Sequence, residues 1–483
     1  MKVVAALALA LLVVMLLPLF RLAMYAVPWY DDYMFGSAAR TGMELAGNGW
    51  GAIQGAVECV RTEWYAWQGT YTSIFFMALM PGIWGEDKYF LGPIFILLLV
   101  LTAIFILVKV LVKDVLRADT ASCIVLQVVT SATVIMFMHS SQAGIYWYNA
   151  GFHYVGMHSI CILFVSTMIC LLKAERRTAT LLFLVLSMLG ALMTAGGNFV
   201  TALQGGLLLL GIGVLGFWFY RKRALLLLPA LCIYAVGFCR NMTAPGNDKR
   251  AQSYIGWGYS PVEAVIRSFL EAFTHIGEFT GLITIAVLVL LVPVIWHMVG
   301  KRDFKFKYPE LVLLLSFCIY ATGFTPSLYS LGHAGLSRTL NAVKITYQLL
   351  LILNEVYWLG WLKMRLKQKQ YNMPEGAAYW WFYPVVGVGM LIIFAMAPNQ
   401  AGCYSAYGAY YYIHTGEAYN FYQQYLERVE ILKSDESHVV LEPYRYKPYL
   451  ICVGDLSDNP ESEENKAVAS WYGKASVIVD YSD

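Results

Sequence analysis

Apolar runs long enough to cross a bilayer recur along the 483-residue chain, separated by short polar stretches. They fall near residues 3–20, 90–111, 121–138, 155–172, 179–195, 200–219, 224–239, 279–299, 309–325, 341–361 and 380–397, which predicts eleven membrane helices. Basic clusters sit in every second gap: Lys109, Lys113 and Arg117; Lys173, Arg176 and Arg177; Arg221, Lys222 and Arg223; Lys301, Arg302, Lys305 and Lys307; Lys363, Arg365, Lys367 and Lys369. All five fall on one side if eleven helices alternate. The positive-inside rule makes that side the cytoplasm, with a cytoplasmic N-terminus and an extracytoplasmic C-terminal tail. The first run is longer than the core of a secretory signal, and no A-x-A site follows before Pro28, so it is expected to be a retained helix.

The remaining segments then lie outside. The long first outer loop, 21–89, contains a predicted amphipathic interfacial helix over 51–70. Its stretch 71–84 is apolar but short and broken by Pro81-Gly82, which predicts a re-entrant or surface segment. A second amphipathic helix is expected from Pro261 to Phe279. The tail, 398–483, reads as helical from about Glu417, with strand-like runs at His438–Leu441 and Ala475–Tyr481. The expected organisation is a transmembrane module over 1–397 and an extracytoplasmic α/β region over 398–483.

Composition agrees with this pattern. Apolar residues make up 59% of the chain and charged residues 13%, with a mean hydropathy of +0.57. An ordinary soluble domain carries about a quarter charged residues. A net charge of +3 is too small to point to nucleic acid. Nine cysteines are scattered singly. Six of them, Cys123, Cys161, Cys170, Cys232, Cys239 and Cys318, fall in apolar runs and read as small buried hydrophobes. Cys59, Cys403 and Cys452 fall outside, where a Cys403–Cys452 disulfide could form. The cytoplasmic gaps hold little but Lys and Arg, with no phosphate-cradling P-loop and no dinucleotide fingerprint. Chemistry, if any, belongs to the outer face, where a lipid-linked activated donor is at hand and a nucleotide-linked one is not.

Such a transfer needs a base for the acceptor hydroxyl, cations for the departing phosphate and an apolar place for the lipid. Asp31 and Asp32 follow the first apolar run directly, among Tyr25, Trp29, Tyr30, Tyr33 and Phe35. One is the candidate catalytic base. The other could hydrogen-bond an acceptor or ligate a divalent cation, Mg or Mn, so the cofactor stays open between none and that metal. Nearby cations are expected to hold one of the two acids ionised against its burial. Candidate donor-phosphate ligands are Lys249 and Arg250, after a Pro245-Gly246-Asn247 turn, and Arg338 and Lys344, at the start of a late helix. The run 146–154 offers Trp147 and Tyr148 as stacking faces and Asn149, His153 and Tyr154 as hydrogen-bonding tips for an acceptor or sugar. His139, His153 and His158 are too loosely spaced for a metal site.

Asp31-Asp32 after the first helix, W-x-N-A-G-x-x-Y at 147–154, A-P-G-N-x-x-R at 244–250 and S-R-T-x-N at 337–341 occur in this order. With N-K-A-V-A-S-W-Y-G at 465–473, they make the chain resemble a group of bacterial polytopic membrane proteins related to O-antigen-modifying glucosyltransferases, within the GT-C glycosyltransferase superfamily. The resemblance covers roughly 1–400, more weakly the tail. It implies a GT-C-like bundle in the bacterial inner membrane, a polyprenyl-phosphate sugar donor, a cell-envelope glycan acceptor and inversion at the sugar. It places the acid on Asp31 or Asp32 and the phosphate-binding arginines on Arg250 and Arg338. The chain departs from the pattern at Gly69-Thr70-Tyr71, where relatives often carry G-R-Y, and at Asn198, where many carry an acid. A transporter or flippase of lipid-linked saccharides, or a polysaccharide polymerase, are the rival readings; repeats, expected of many transporters, are absent from the sequence.

Overall fold

The computed structural model describes residues 1–254, 256–299, 304–369 and 404–482, together with 384–385, 387–389 and 391. The chain is mostly helical. Helix α1 (Lys2–Ala23) leads into α2 (Asp31–Ala46), α3 (Gly49–Ala66) and α4 (Tyr71–Ala78), which is followed by a 3-10 turn at Pro81–Trp84. Then come α5 (Leu91–Lys109), α6 (Thr120–Met136), α7 (Tyr148–Lys173), α8 (Arg177–Ala195), α9 (Phe199–Tyr220) and α10 (Leu228–Met242). The short α11 (Pro245–Gln252) precedes α12 (Pro261–Phe279), α13 (Leu282–Val299), α14 (Pro309–Thr322), α15 (Thr325–Leu331) and α16 (Ser337–Gln368). Among the described residues, seven helices are long and apolar enough to cross a membrane. This is the architecture of a multi-pass membrane protein. Ten of the eleven apolar runs coincide with a helix. The eleventh, 380–397, lies largely outside the described residues, as does Cys403 of the disulfide considered above.

Helices α2 and α3 form a hairpin where the sequence has small residues. Gly47 ends α2 at φ +67°, and the Asn48 side chain accepts from the Trp50 and Gly51 amides to start α3. The backbones then approach so closely that a Cβ on Gly55 would lie 2.2 Å from the Ala38 carbonyl oxygen, and one on Gly51 2.2 Å from that of Gly42. Helix α4, in the stretch expected to be re-entrant or at the surface, is largely packed inside, with Ile74, Met77 and Ala78 buried.

The C-terminal region packs onto the bundle. Helix α17 (Ser405–His414) lies along α1, and α18 (Glu417–Leu432) leads to β1 (His438–Leu441). Helix α19 (Glu463–Tyr472) crosses to β2 (Ser476–Val479), which pairs parallel with β1, Val439 opposite Val477. A buried ion pair, Arg428–Asp455 at 2.7 Å, ties this unit together, and Asp455 also accepts from the Tyr444 amide at 2.8 Å. Trp471 docks α19 on α2, with Arg40 over its ring at 4.5 Å and Tyr33 edge-on at 5.4 Å. Two cysteines of the apolar runs, Cys232 and Cys239, are exposed on the helix surface rather than buried, while Cys59 is buried.

Candidate functional site

The two aspartates open α2, where the unpaired amides of a first turn favour negative charge. Tyr30 before them has φ +21°, a conformation uncommon outside glycine. Adjacent positions on a helix point about 100° apart, and the two acids meet different surroundings. Asp32 is fully buried. Its Oδ2 accepts from the Trp29 amide at 2.9 Å and the Tyr89 hydroxyl at 2.7 Å, and its Oδ1 accepts from the Asn149 amide at 3.0 Å. The same Tyr89 hydroxyl accepts from the Tyr148 amide at 2.9 Å. Asp32 thus joins the end of the first linker, the start of α5 and the start of α7. Burial pushes its carboxyl up to about 7, against the pull of those three donors.

Asp31 is the open member of the pair. Its side chain, 18% exposed, lines a cavity of about 550 Å³ together with Arg250 and Arg338. The Arg338 guanidinium stands 3.6 Å from its Oδ2. Burial raises the Asp31 carboxyl, and Arg338 and then Arg250 pull it back without cancelling the effect. The expectation that the cations would win for one aspartate is therefore corrected: burial dominates at both.

Arg250 donates to Gln68 Oε1 at 2.6 Å and lies over the Trp67 ring at 5.2 Å. It is placed by α11, a helix where a tight turn had been expected. Pro245 serves at its first position, where a missing N–H costs nothing. Gly246 permits contact with the end of α3, since a Cβ there would lie 2.5 Å from the Trp67 nitrogen. Asn247 accepts from the Gly69 amide at 3.1 Å and donates to the Asn241 carbonyl at 2.8 Å. The A-P-G-N motif is thus the clamp that aims Arg250. In the S-R-T-x-N motif, Asn341 pairs with both backbone groups of Ser140, at 2.9 and 2.8 Å, and fixes the start of α16 behind Arg338.

Other candidates divide. Asn149, His153 and Tyr154 line the same cavity. Trp147 lies beneath Arg338, ring to guanidinium 5.3 Å, packed with Trp29 and Val453 rather than open to the cavity. Tyr148 is buried, stacked near Phe152 with its hydroxyl donating to the Phe76 carbonyl at 3.1 Å, so it offers no free stacking face. Lys249 is exposed and outside the cavity lining. Lys344 sits 5.4 Å from the Phe279 ring, beside the His139–Glu278 pair, and is likewise not part of the lining. Asn198 caps α9 and donates to the His153 carbonyl at 2.6 Å.

Sequence reasoning missed Tyr89, Gln68, Glu63 and Glu463. Gln68, Glu63 and Glu463 line the cavity, Glu463 from the start of α19 in the tail. The signal for Glu463 was the capping pattern at Ser462, whose side chain accepts from the Asn465 amide. Among the described residues no group of three or more His, Cys, Asp or Glu could hold a metal ion. The cavity instead pairs carboxylates with two guanidiniums, a donor set that does not suit Mg or Mn. No family model, curated protein or solved structure matches the chain.

Proposed function

We propose that the chain is a GT-C-like glycosyltransferase of the bacterial inner membrane, with eleven spans, a cytoplasmic N-terminus and an outer C-terminal region. It moves a sugar from a polyprenyl-phosphate carrier to a cell-envelope glycan. The observation that carries this reading is Asp31, partly open to a cavity that also holds Arg250 and Arg338. An acceptor hydroxyl attacks the anomeric carbon and gives its proton to the Asp31 carboxylate. The carbon–oxygen bond to phosphate breaks with inversion, and the phosphate leaves with the electron pair, its growing charge met by the two arginines. Arg is suited to this because its fork binds phosphate oxygens in pairs. Asp32, with no exposure, holds the frame and takes no proton from substrate.

A transporter of lipid-linked saccharides has one observation in its favour. Glu355 of α16 has both carboxylate oxygens buried with no partner among the described residues, and such groups inside a bilayer often mark transport pathways. The deciding experiment reconstitutes the full chain in proteoliposomes with a radiolabelled polyprenyl-phosphate sugar and an envelope glycan extract. Transfer is expected, and Arg250→Gln and Arg338→Gln should each raise the donor requirement tenfold or more, since a charge-assisted contact contributes about 1.5–3 kcal/mol. Movement of label across the bilayer without transfer, abolished by Glu355→Gln, would overturn it.

A further inference from the structure

The cavity has a second chemical character that the phosphate-binding reading does not use. Glu63, near the end of α3, lines it with a partly buried carboxyl that has no hydrogen-bond or ion-pair partner among the described residues. Asn149 is fully buried and also lines it. Its amide nitrogen donates to the Asp31 carbonyl at 2.7 Å, while its Oδ1 has no partner. His153 lines it too, with Nδ1 buried and unpartnered. Asn149 Oδ1 and His153 Nδ1 are buried polar atoms left unmatched, which is costly, and with the half-buried Glu63 carboxyl beside them they point to a ligand that brings hydrogen-bond donors. The Glu63 carboxylate and Asn149 Oδ1 cannot be matched by a phosphate, which brings oxygen acceptors of its own. Trp67 adds an aromatic face to the same lining. A carboxylate, a carbonyl and an aromatic ring together suit a polyol ring, with hydroxyls at its edge and C–H groups on its face.

We propose that Glu63, Asn149 Oδ1 and His153 Nδ1 form a subsite for the hydroxyl groups of a sugar, with Glu63 as its specificity-determining residue. The inference rests on the transferase reading for the role of that sugar, which could be the transferred unit or the end of the acceptor. Glu63 accepts two neighbouring hydroxyls through its two oxygens, Asn149 accepts one, and His153 Nδ1 pairs with another. Asp31 is left free to meet the reacting hydroxyl, and the arginines the phosphate.

The test uses the purified full chain in a detergent without a sugar head group. Saturation-transfer NMR reads binding of methyl glycosides and of their mono-deoxy forms, and a separate titration reads polyprenyl phosphate. Glu63→Gln should weaken the preferred methyl glycoside about tenfold and flatten discrimination against one deoxy form, with polyprenyl phosphate unchanged. Glu63→Asp, which keeps the charge on a shorter arm, should fall between the two and guards against a folding defect in the first variant. Equal glycoside binding by wild type and both variants would overturn the subsite, as would parallel loss of glycoside and phosphate binding at an unchanged melting temperature. A polyprenyl-phosphate sugar separates the sources: if Glu63→Gln lowers its affinity, the subsite holds the transferred sugar; if only free glycoside binding falls, it holds the acceptor. Glu63-dependent glycoside binding without any affinity for polyprenyl phosphate would leave the subsite standing and remove the lipid-donor reading.

Discussion

Replacing Tyr89 by Phe removes one oxygen from the buried lock beneath the site and changes no charge. That oxygen donates to Asp32 Oδ2 at 2.7 Å and accepts from the Tyr148 amide at 2.9 Å. A hydrogen bond to a charged group contributes about 1.5–3 kcal/mol, and stranding the buried Tyr148 amide costs about 1–3 kcal/mol more. The ring keeps its packing, so the variant should lose about 3–5 kcal/mol, a large share of the margin by which a fold survives. The loss should depend on pH. Asp32 has a folded-state pKa raised from 3.8 to about 7. Its contribution is therefore full at low pH and is lost as pH rises through about 7. Without the Tyr89 donor the ionised form is disfavoured further, so the gap between wild type and Tyr89→Phe should widen from pH 5 to pH 8. Thermal melting of both proteins in detergent, followed by size-exclusion recovery, measures this. A variant that melts with wild type at pH 8 would refute the lock.

Three further outcomes follow from the same geometry. Because burial raises the Asp31 carboxyl, the acid limb of the transfer rate should lie at higher pH than for an unburied aspartate; a pH–rate profile with no acid limb would exclude Asp31 as the base. Gly55→Val sets side-chain atoms against the Ala38 carbonyl, where even a Cβ would lie 2.2 Å away. It should part α2 from α3 and sharply lower the yield of folded protein, whereas the same change at Gly49, with open space around it, should be mild in a parallel expression and melting test. Breaking the Arg428–Asp455 pair by Asp455→Ala strands a buried guanidinium and should cost about 3–5 kcal/mol, read as faster proteolysis of the C-terminal region.

Much of the fold was legible because membrane helices are written in long apolar runs. Amphipathic spacing likewise marked Pro261–Phe279, and alternation marked His438–Leu441, at the bounds observed. The order of the polar motifs pointed to Asp31, Arg250 and Arg338, which meet around one cavity. What stayed hidden was tertiary. Pro245 suits both a turn and the first position of a helix, and only the contact of Gly246 with α3 selects the helix. Nothing local separates Asp31 from Asp32; the difference lies in Tyr89 and Asn149, brought from distant helices. Tyr148 read as a stacking face, yet Gly92 admits its ring into the core, where a Cβ would lie 2.5 Å from it. Glu63 read as one charge on an amphipathic helix, and its want of a partner is visible only in the folded cavity.

The central claim is that Asp31, and not its neighbour, takes the proton. The most direct measurement is sugar transfer from a radiolabelled polyprenyl-phosphate donor by Asp31→Asn protein in proteoliposomes, with melting temperature and polyprenyl-phosphate binding recorded on the same sample. Transfer should fall by about 10²–10⁴-fold while folding and lipid-phosphate binding persist. Transfer at near wild-type rate by a folded Asp31→Asn protein would contradict the claim.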